Sequence, residues 1–132
     1  HVGNVLLWPG ARDVAPTFID SSPVYGRGVY DVAHFGLVSL SPERRRALEA
    51  RLVDAYHLAL REQGVTEYSR ARCDEDYRLS ILAVMHRVLL STMVVLRKHH
   101  PDGEAVAMDI ARQFSEAATQ HDLVSLCEAH RA

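Results

Sequence analysis

The sequence predicts a mainly α-helical protein with a small β-hairpin near its start, and three observations indicate this fold class. Residues 1–28 hold four of the seven glycines and three of the five prolines. The same stretch carries two short apolar runs bounded by these turn-forming residues, which is typical of paired strands. From Val29 onward, apolar residues recur three or four positions apart, the spacing of amphipathic helices.

The hairpin is predicted from Val5-Leu6-Leu7 and Thr17-Phe18-Ile19. Between them, the segment 8–13 contains Pro, Gly and Asp, which favour turns. With 132 residues the chain is long enough for one domain rather than two. We therefore divide that single domain into the hairpin segment, residues 1–28, and a helical bundle, residues 29–132.

The first two predicted helices are separated by a specific start signal. Asp31 to Leu40 is expected to form the first helix. Ser41-Pro42 then reads as an N-cap followed by proline at the first helical position, and Gly64 reads as the stop of that second helix. Its inward face is expected to consist of apolar residues, with Arg45 and Glu49 lying elsewhere. The apolar set is Leu48, Leu52, Ala55, Tyr56, Ala59 and Leu60.

A longer helix is expected from about Cys73 to Lys98, and between Leu79 and Leu96 it is apolar nearly all round. Such a length is compatible with a membrane span. However, His86 and Arg87 interrupt the run, and a central arginine is costly in hydrocarbon. A helix buried at the centre of a bundle is therefore the preferred interpretation.

The remaining chain predicts two more helices and gives no sign of a charged partner. After Pro101-Asp102-Gly103, an amphipathic helix is expected, with five apolar residues facing the core. A short terminal helix follows. The inward residues are Val106, Ile110, Phe114, Ala117 and Ala118, and the terminal helix carries Leu123, Leu126 and Cys127. A formal net charge of −2 argues against nucleic acid or membrane as partner.

The two cysteines and a run of three arginines have structural rather than functional interpretations. Cys73 and Cys127 lie in apolar helical patterns without metal-site spacing, so two buried free thiols and a cytoplasmic location are expected. Residues 44–46 are all arginine, which on one helical turn is typical of a solvated face.

Two polar residues at the strand ends are candidates for chemistry. Asn4 lies just before the first predicted strand, and Asp20 ends the second. An amide oxygen and a carboxylate at such positions could share a hard cation such as Mg²⁺. Asn and Asp at strand ends also form turns, so the pattern alone leaves both interpretations open.

A family resemblance favours the metal interpretation. The segment 1–7, His-Val-Gly-Asn-Val-Leu-Leu, resembles the end of the phosphotransferase catalytic loop, H-G-D-x-x-x-x-N. The segment 17–20 resembles the next strand with its metal-binding aspartate, and the segment 26–35 resembles G-x-G-x-x-D-L-A-x-F. Order and spacing match the aminoglycoside phosphotransferase/choline kinase superfamily. The later helices look like the ecdysteroid kinase-like branch.

The resemblance implies a fold, an activity and roles for three residues. The chain would be the C-terminal helical lobe of a protein-kinase-like fold, with residues 1–28 forming the end of the catalytic loop and the metal-binding hairpin. Asn4 and Asp20 would bind the Mg²⁺ that bridges the phosphates of ATP. Asp31 would support the catalytic loop by hydrogen bonding to its backbone. After the aspartate, many relatives have Trp-Gln or Phe-Gly, whereas this chain has Ser21-Ser22.

The resemblance also places two parts of the machinery upstream of His1: the aspartate that acts as general base, and the nucleotide-binding lobe. By itself the chain is therefore expected to be inactive, and either to need that lobe or to self-associate through the exposed cleft face. The expected partner is a small molecule with a hydroxyl acceptor, whose identity the sequence leaves open. An alternative interpretation is a catalytically inactive helical interaction or dimerisation module of kinase ancestry.

Overall fold

The protein is mainly α-helical, and its described residues include one pair of very short strands. The computed structural model describes residues 5–6, 16–18, 26–99 and 102–130, and the side chains of 16–17, 26–90 and 102–130. Strands β1 (Val5–Leu6) and β2 (Thr17–Phe18) pair antiparallel, with Val5 opposite Phe18. Five helices follow within the described residues: α1 (Tyr30–Ser39), α2 (Pro42–Glu62), α3 (Arg70–His99), α4 (Gly103–Gln120) and α5 (Leu123–Ala129).

Helix α2 begins and ends where its sequence signals predict. The Ser41 side chain accepts a hydrogen bond from the backbone N–H of Arg44 at 3.4 Å, and Pro42 occupies the first helical position. At the other end Gly64 has a φ of 87°, with its N–H bonded to the carbonyl of Arg61. The N–H of Val65 reaches the carbonyl of Leu60, which completes a Schellman motif.

Helix α3 begins three residues earlier than predicted because a second serine cap precedes it. The Ser69 hydroxyl accepts from the backbone N–H of Arg72 at 3.1 Å, and its carbonyl accepts from the N–H of Cys73. The cap therefore allows helical geometry from Arg70 onward. This helix is the longest in the described part of the chain and packs against α1, α2, α4 and α5.

The core lies between one face of α3 and the helices around it. On α3 the buried residues recur three or four positions apart: Cys73, Tyr77, Ile81, Val84 and Val88. The other helices contribute Ala33 and Leu37 from α1, Val53 from α2, Phe114 and Ala117 from α4, and Leu123 and Leu126 from α5. The predicted inward face of α4 is confirmed, since all five of its residues are buried or partly buried.

The expectation that α3 is buried all round is wrong for its described side chains. Leu89 is 40% exposed and Leu90 is 61% exposed, whereas Val88 is 9% exposed. The helix is amphipathic, because its neighbours cover one face only. In the part of the chain that the structure describes, no helix is long and apolar enough to cross a membrane.

The predicted inward face of α2 is right in part. Four of its six residues are partly buried (Leu48, Leu52, Tyr56 and Leu60), whereas Ala55 and Ala59 are exposed. The most deeply buried row is different: it consists of Arg45, Glu49 and Val53, spaced four residues apart. Arg45 is 1% exposed, and Arg44 and Arg46 on either side of it are exposed. Consecutive helical residues point about 100° apart, so three adjacent arginines do not share a face.

The two thiols differ in their surroundings. Cys73 is fully buried in the core, as predicted, but Cys127 is exposed. Burial raises the pKa of the Cys73 thiol. Cys127 lies on α5 one turn after the buried Leu123, but the neighbouring helices leave it exposed.

Candidate functional site

Two of the three predicted site residues lie outside the described residues. These are Asn4 and Asp20. Their neighbours in sequence are described: Val5 follows Asn4 directly, Phe18 precedes Asp20 by two positions, and Val5 and Phe18 are partners in the strand pair. The predicted pairing of the two apolar segments is therefore present at Val5 and Phe18.

The third predicted residue, Asp31, lies in the first turn of α1. Its side chain is exposed, and its backbone N–H bonds to the carbonyl of Gly28 at 3.3 Å. A carboxylate in this turn interacts favourably with the positive end of the helix. The catalytic loop that Asp31 is expected to support lies outside the described residues.

The segment 26–29, which leads into α1, is fastened to the helical bundle at three consecutive residues. The Nε of Arg27 donates to Oδ1 of Asp76 on α3 at 2.8 Å. Gly28 lies against Tyr56 of α2, so closely that a Cβ atom at this position would be 2.5 Å from the Tyr56 hydroxyl. Val29 is fully buried in the core. The start of α1 is thus held by both α2 and α3.

Asp76 is the polar anchor of this segment. Its Oδ2 accepts from the Tyr68 hydroxyl at 3.0 Å, and its Oδ1 also lies 3.5 Å from Nε of Arg72. Burial favours the neutral acid, but the hydrogen bonds from Arg27 and Tyr68 outweigh it and lower the pKa of Asp76. Burial and the bond to Asp76 together raise the pKa of Tyr68. Asp76 therefore carries a stable negative charge opposite Arg27.

A second polar cluster lies deeper, around the carboxylate of Glu49 on α2. Its Oε1 accepts from the Tyr77 hydroxyl at 2.6 Å and lies 2.9 Å from Nε2 of His121. Its Oε2 accepts from Nε2 of Gln120 at 2.6 Å. The ring of His121 also meets the ring of Tyr77 edge to face, with centroids 5.8 Å apart. Glu49 therefore joins α2 to α3 and to the end of α4.

The surroundings keep Glu49 ionised. Burial alone would raise its pKa, but hydrogen bonds from His121 and Tyr77 and the charges of His121 and Arg45 lower it overall. The pKa of Tyr77 is raised, first by burial and then by its bond to Glu49, so the phenol stays protonated and remains a donor. The resulting cluster is a fixed arrangement of donors around one anion.

Arg45 compensates the charge of Glu49 from one turn earlier on α2. Its Nη1 lies 3.6 Å from Oε1 of Glu49, and its side chain is 1% exposed. Among the described residues, none hydrogen-bonds the guanidinium nitrogens of Arg45. Burying the charge of an arginine costs desolvation free energy, and here the nearby carboxylate of Glu49 offsets that cost.

Beside this cluster an open cavity of about 290 Å³ is lined by side chains of α2, α3 and the turn after α4. Arg70 there pairs with Asp54 and Asp74, and Arg78 donates to the backbone carbonyls of His121 and Asp122. The two arginines that line the cavity are thus already bonded to protein groups. Its walls include Ala50 and Val53 but no cysteine or serine, and we assign it a structural role.

Metal-ligand geometry is not found in the described part of the chain. Among the described side chains of residues 26–90 and 102–130, those of His, Cys, Asp and Glu form no group of three arranged to hold an ion. Three of the described histidines bond to protein partners. His57 contacts the carbonyl of Tyr68 at 2.8 Å, His121 contacts Glu49, and His130 contacts the carbonyl of Leu126 at 2.9 Å. The Glu49 cluster escaped sequence reasoning, although Arg45, Glu49 and Val53 follow an i, i+4, i+8 row that could have indicated it.

Comparison of the chain with protein families, with curated proteins and with solved structures found no match.

Proposed function

We propose that this chain is the C-terminal helical lobe of a kinase-like, ATP-dependent phosphotransferase that acts on a hydroxyl group of a small molecule. The observation that carries the proposal is the order and spacing of three motifs within residues 1–35, which contain Asn4, Asp20 and Asp31. The pairing of Val5 with Phe18 supports it, because the proposal requires the two segments to run side by side.

The donor set suits the metal that the proposal requires. Asn4 offers an amide oxygen and Asp20 a carboxylate, and Mg²⁺ prefers such hard oxygen ligands. Bound Mg²⁺ would neutralise the negative charge of the phosphates of ATP. Asn4 and Asp20 would hold that ion, and Asp31 would stabilise the loop that carries Asn4.

The described helices support this role by fixing the segment that follows the proposed metal site. Arg27 is tied to Asp76, Gly28 is packed on Tyr56, and Val29 is buried, so the chain is anchored a few residues after Asp20. Catalysis of phosphoryl transfer depends mostly on positioning and charge, which makes a rigid support valuable. The proposed general base comes before His1, and the acceptor is a small hydroxylated compound.

The test uses the parent protein, including the segment that precedes His1. ATP-dependent phosphorylation is measured with a panel of aminoglycoside, choline-like, macrolide and steroid acceptors. Asp20→Ala is expected to lower turnover by several orders of magnitude, with unchanged circular dichroism. Asp109→Ala, which removes an exposed carboxylate on α4, serves as the matched control and should keep wild-type turnover. Normal activity in Asp20→Ala would refute the assignment.

The proposal also predicts how the chain behaves without a nucleotide-binding lobe as its partner. Without a nucleotide-binding lobe, the 132-residue chain is expected neither to hydrolyse ATP nor to transfer phosphate. We propose that it then self-associates, and sedimentation of the purified chain measures this. A monomer with phosphotransferase activity would overturn both statements.

A further inference from the structure

A second cavity lies beneath the short terminal helix. It is open to solvent, its volume is about 280 Å³, and its walls come from α3, α4 and α5. The lining residues are Leu82, Met85, Ala118, Leu123, Val124, Cys127 and Glu128. Most of these side chains are apolar, as is typical of small-molecule pockets.

The helix that covers this cavity is firmly attached at its beginning. Arg78 donates from Nε and Nη2 to the carbonyl of His121 at 3.0 and 2.7 Å, and from Nη2 to that of Asp122 at 3.2 Å. Asp122 adopts a left-handed conformation with a φ of 48°, which turns the chain sharply into α5. Leu123 and Leu126 are buried just after it. The cavity is thus bounded by fixed elements on three sides.

The walls differ in character from one side to the other. Leu82, Met85 and Ala118 are partly buried and form the apolar interior, and the flexible thioether of Met85 adapts to ligands of different shapes. Val124 is 68% exposed at the opening. The carboxylate of Glu128 also lines the cavity, and no ion pair joins it to any described residue, in contrast to Glu75 and Glu116.

We propose that this cavity binds a small apolar amine, with one or two rings lying against Leu82, Met85 and Ala118 and the ammonium group facing Glu128. The volume is well above the roughly 150 Å³ of an apolar cavity that accepts a benzene ring. The apolar walls supply the affinity, and the Glu128 carboxylate, which has no ion-pair partner among the described residues, selects a cation over a neutral molecule of the same shape. This site rests on its lining residues alone and does not depend on phosphotransferase activity.

Naphthylmethylamine and its neutral counterpart naphthylmethanol are suitable probes for the full chain. Binding is measured by chemical-shift changes in two-dimensional NMR spectra, which also locate the ligand at residues 118–128. Because Glu128 is exposed, the amine is expected to bind about five-fold more tightly than the alcohol, the range of an exposed charge pair. Saturating amine should also slow the modification of the exposed Cys127 thiol by a thiol reagent.

Three variants and one control variant separate the role of Glu128 from the existence of the binding site. Glu128→Gln should remove the preference for the amine and leave the alcohol's affinity unchanged, whereas Glu62→Gln, an exposed glutamate on α2, should change neither. Ala118→Phe should fill the cavity and abolish binding of both probes. Val124→Glu also tests whether the probes occupy the cavity, at an exposed position that tolerates a polar side chain. It should lower the affinity for the alcohol, because it places a charge beside the apolar walls.

Each outcome decides the proposal. Equal affinity of amine and alcohol for the wild-type chain would overturn the role of Glu128. Shift changes confined to residues other than 82–85 and 118–128 would overturn the site itself. Binding of the alcohol that survives both Ala118→Phe and Val124→Glu would do the same. The absence of any binding up to the solubility limit of the probes would do so as well.

Discussion

The phenol of Tyr77 on α3 donates a 2.6 Å hydrogen bond to the carboxylate of Glu49 on α2, and both residues are buried. Gln120 and His121 bond to the same carboxylate from the end of α4. One side chain thus links three helices by directional bonds. In a small bundle such a polar link constrains how the helices are aligned, because a buried hydrogen bond is lost when its donor and acceptor move apart.

Removing this link should destabilise the protein strongly. Glu49→Ala leaves Tyr77, Gln120 and His121 without their acceptor and leaves the Arg45 charge buried without its carboxylate. Breaking a buried ion pair from one side costs about 3–5 kcal/mol, and we expect a loss in that range. Chemical denaturation monitored by circular dichroism measures the change in the free energy of unfolding.

Two controls accompany that measurement. Glu62→Ala, at an exposed position on the same helix, should change stability by no more than about 0.5 kcal/mol. The double variant Arg45→Met, Glu49→Ala removes both charges and should be more stable than Glu49→Ala alone. If Glu49→Ala costs no more than Glu62→Ala, the carboxylate is not a link between the helices.

The same carboxylate predicts how stability depends on acidity. Its pKa in the folded protein lies below the usual value of 4.5, because the bonds and charges around it outweigh burial. A lowered folded pKa means that its contribution is complete above the unfolded pKa and is lost as the pH falls through the folded pKa. The free energy of unfolding should therefore decrease on acidification below about pH 4.5.

A comparison with Glu49→Gln isolates this contribution. The other carboxylates, including Asp76 with its lowered pKa, are common to both proteins and cancel in the difference. The stability gap between wild type and variant should narrow as the pH falls below about 4.5, because only the wild type then loses the contribution of the ionised Glu49. A gap that stays constant down to about pH 2 would mean that Glu49 does not titrate with unfolding.

Local signals made much of the helical architecture predictable. Ser41 and Pro42 start α2 and Gly64 ends it, because capping requires only a side chain and a backbone group a few residues apart. Ser69 carries the same kind of signal before α3, and reading it would have corrected the predicted start. Such features depend on chemistry within one turn, which a sequence displays directly.

The polar interior was not predictable in the same way. An apolar pattern assigns Arg45 and Glu49 to the surface, whereas both are buried, and Glu49 bonds to Tyr77, Gln120 and His121 from other helices. These partners are 28 or more positions away in sequence. The assignment of Asn4 and Asp20 as catalytic residues rests on the sequence. The described structure adds that their neighbours Val5 and Phe18 are paired.

Burial on α3 predicts a sharp contrast between two adjacent residues. Val88 is 9% exposed in the core and Leu89 is 40% exposed. Val88→Ala removes two buried methyl groups and should cost about 2 kcal/mol, whereas Leu89→Ala should cost less than about 1 kcal/mol despite removing more atoms. Paired thermal or chemical denaturation measures both. Equal losses would mean that Leu89 is covered as fully as Val88.

The contact between Gly28 and Tyr56 gives the most specific prediction, because one substitution should repair another. A Cβ at position 28 would lie 2.5 Å from the Tyr56 hydroxyl but 3.5 Å from the ring carbon that bears it. Gly64 has a positive φ, and Gly28 does not, so the obstacle at Gly28 is steric. We expect Gly28→Ala to cost about 1–3 kcal/mol in the wild-type background.

In a Tyr56→Phe background the same Gly28→Ala change should cost far less, because the nearest ring carbon then makes an ordinary contact. A double-mutant cycle from denaturation curves yields the coupling between the two sites, which we expect to exceed about 0.5 kcal/mol. Gly26→Ala is the control, since a Cβ there meets nothing within 4 Å and should change stability little. Additive effects of Gly28→Ala and Tyr56→Phe would show that α2 does not press against the segment that leads into α1.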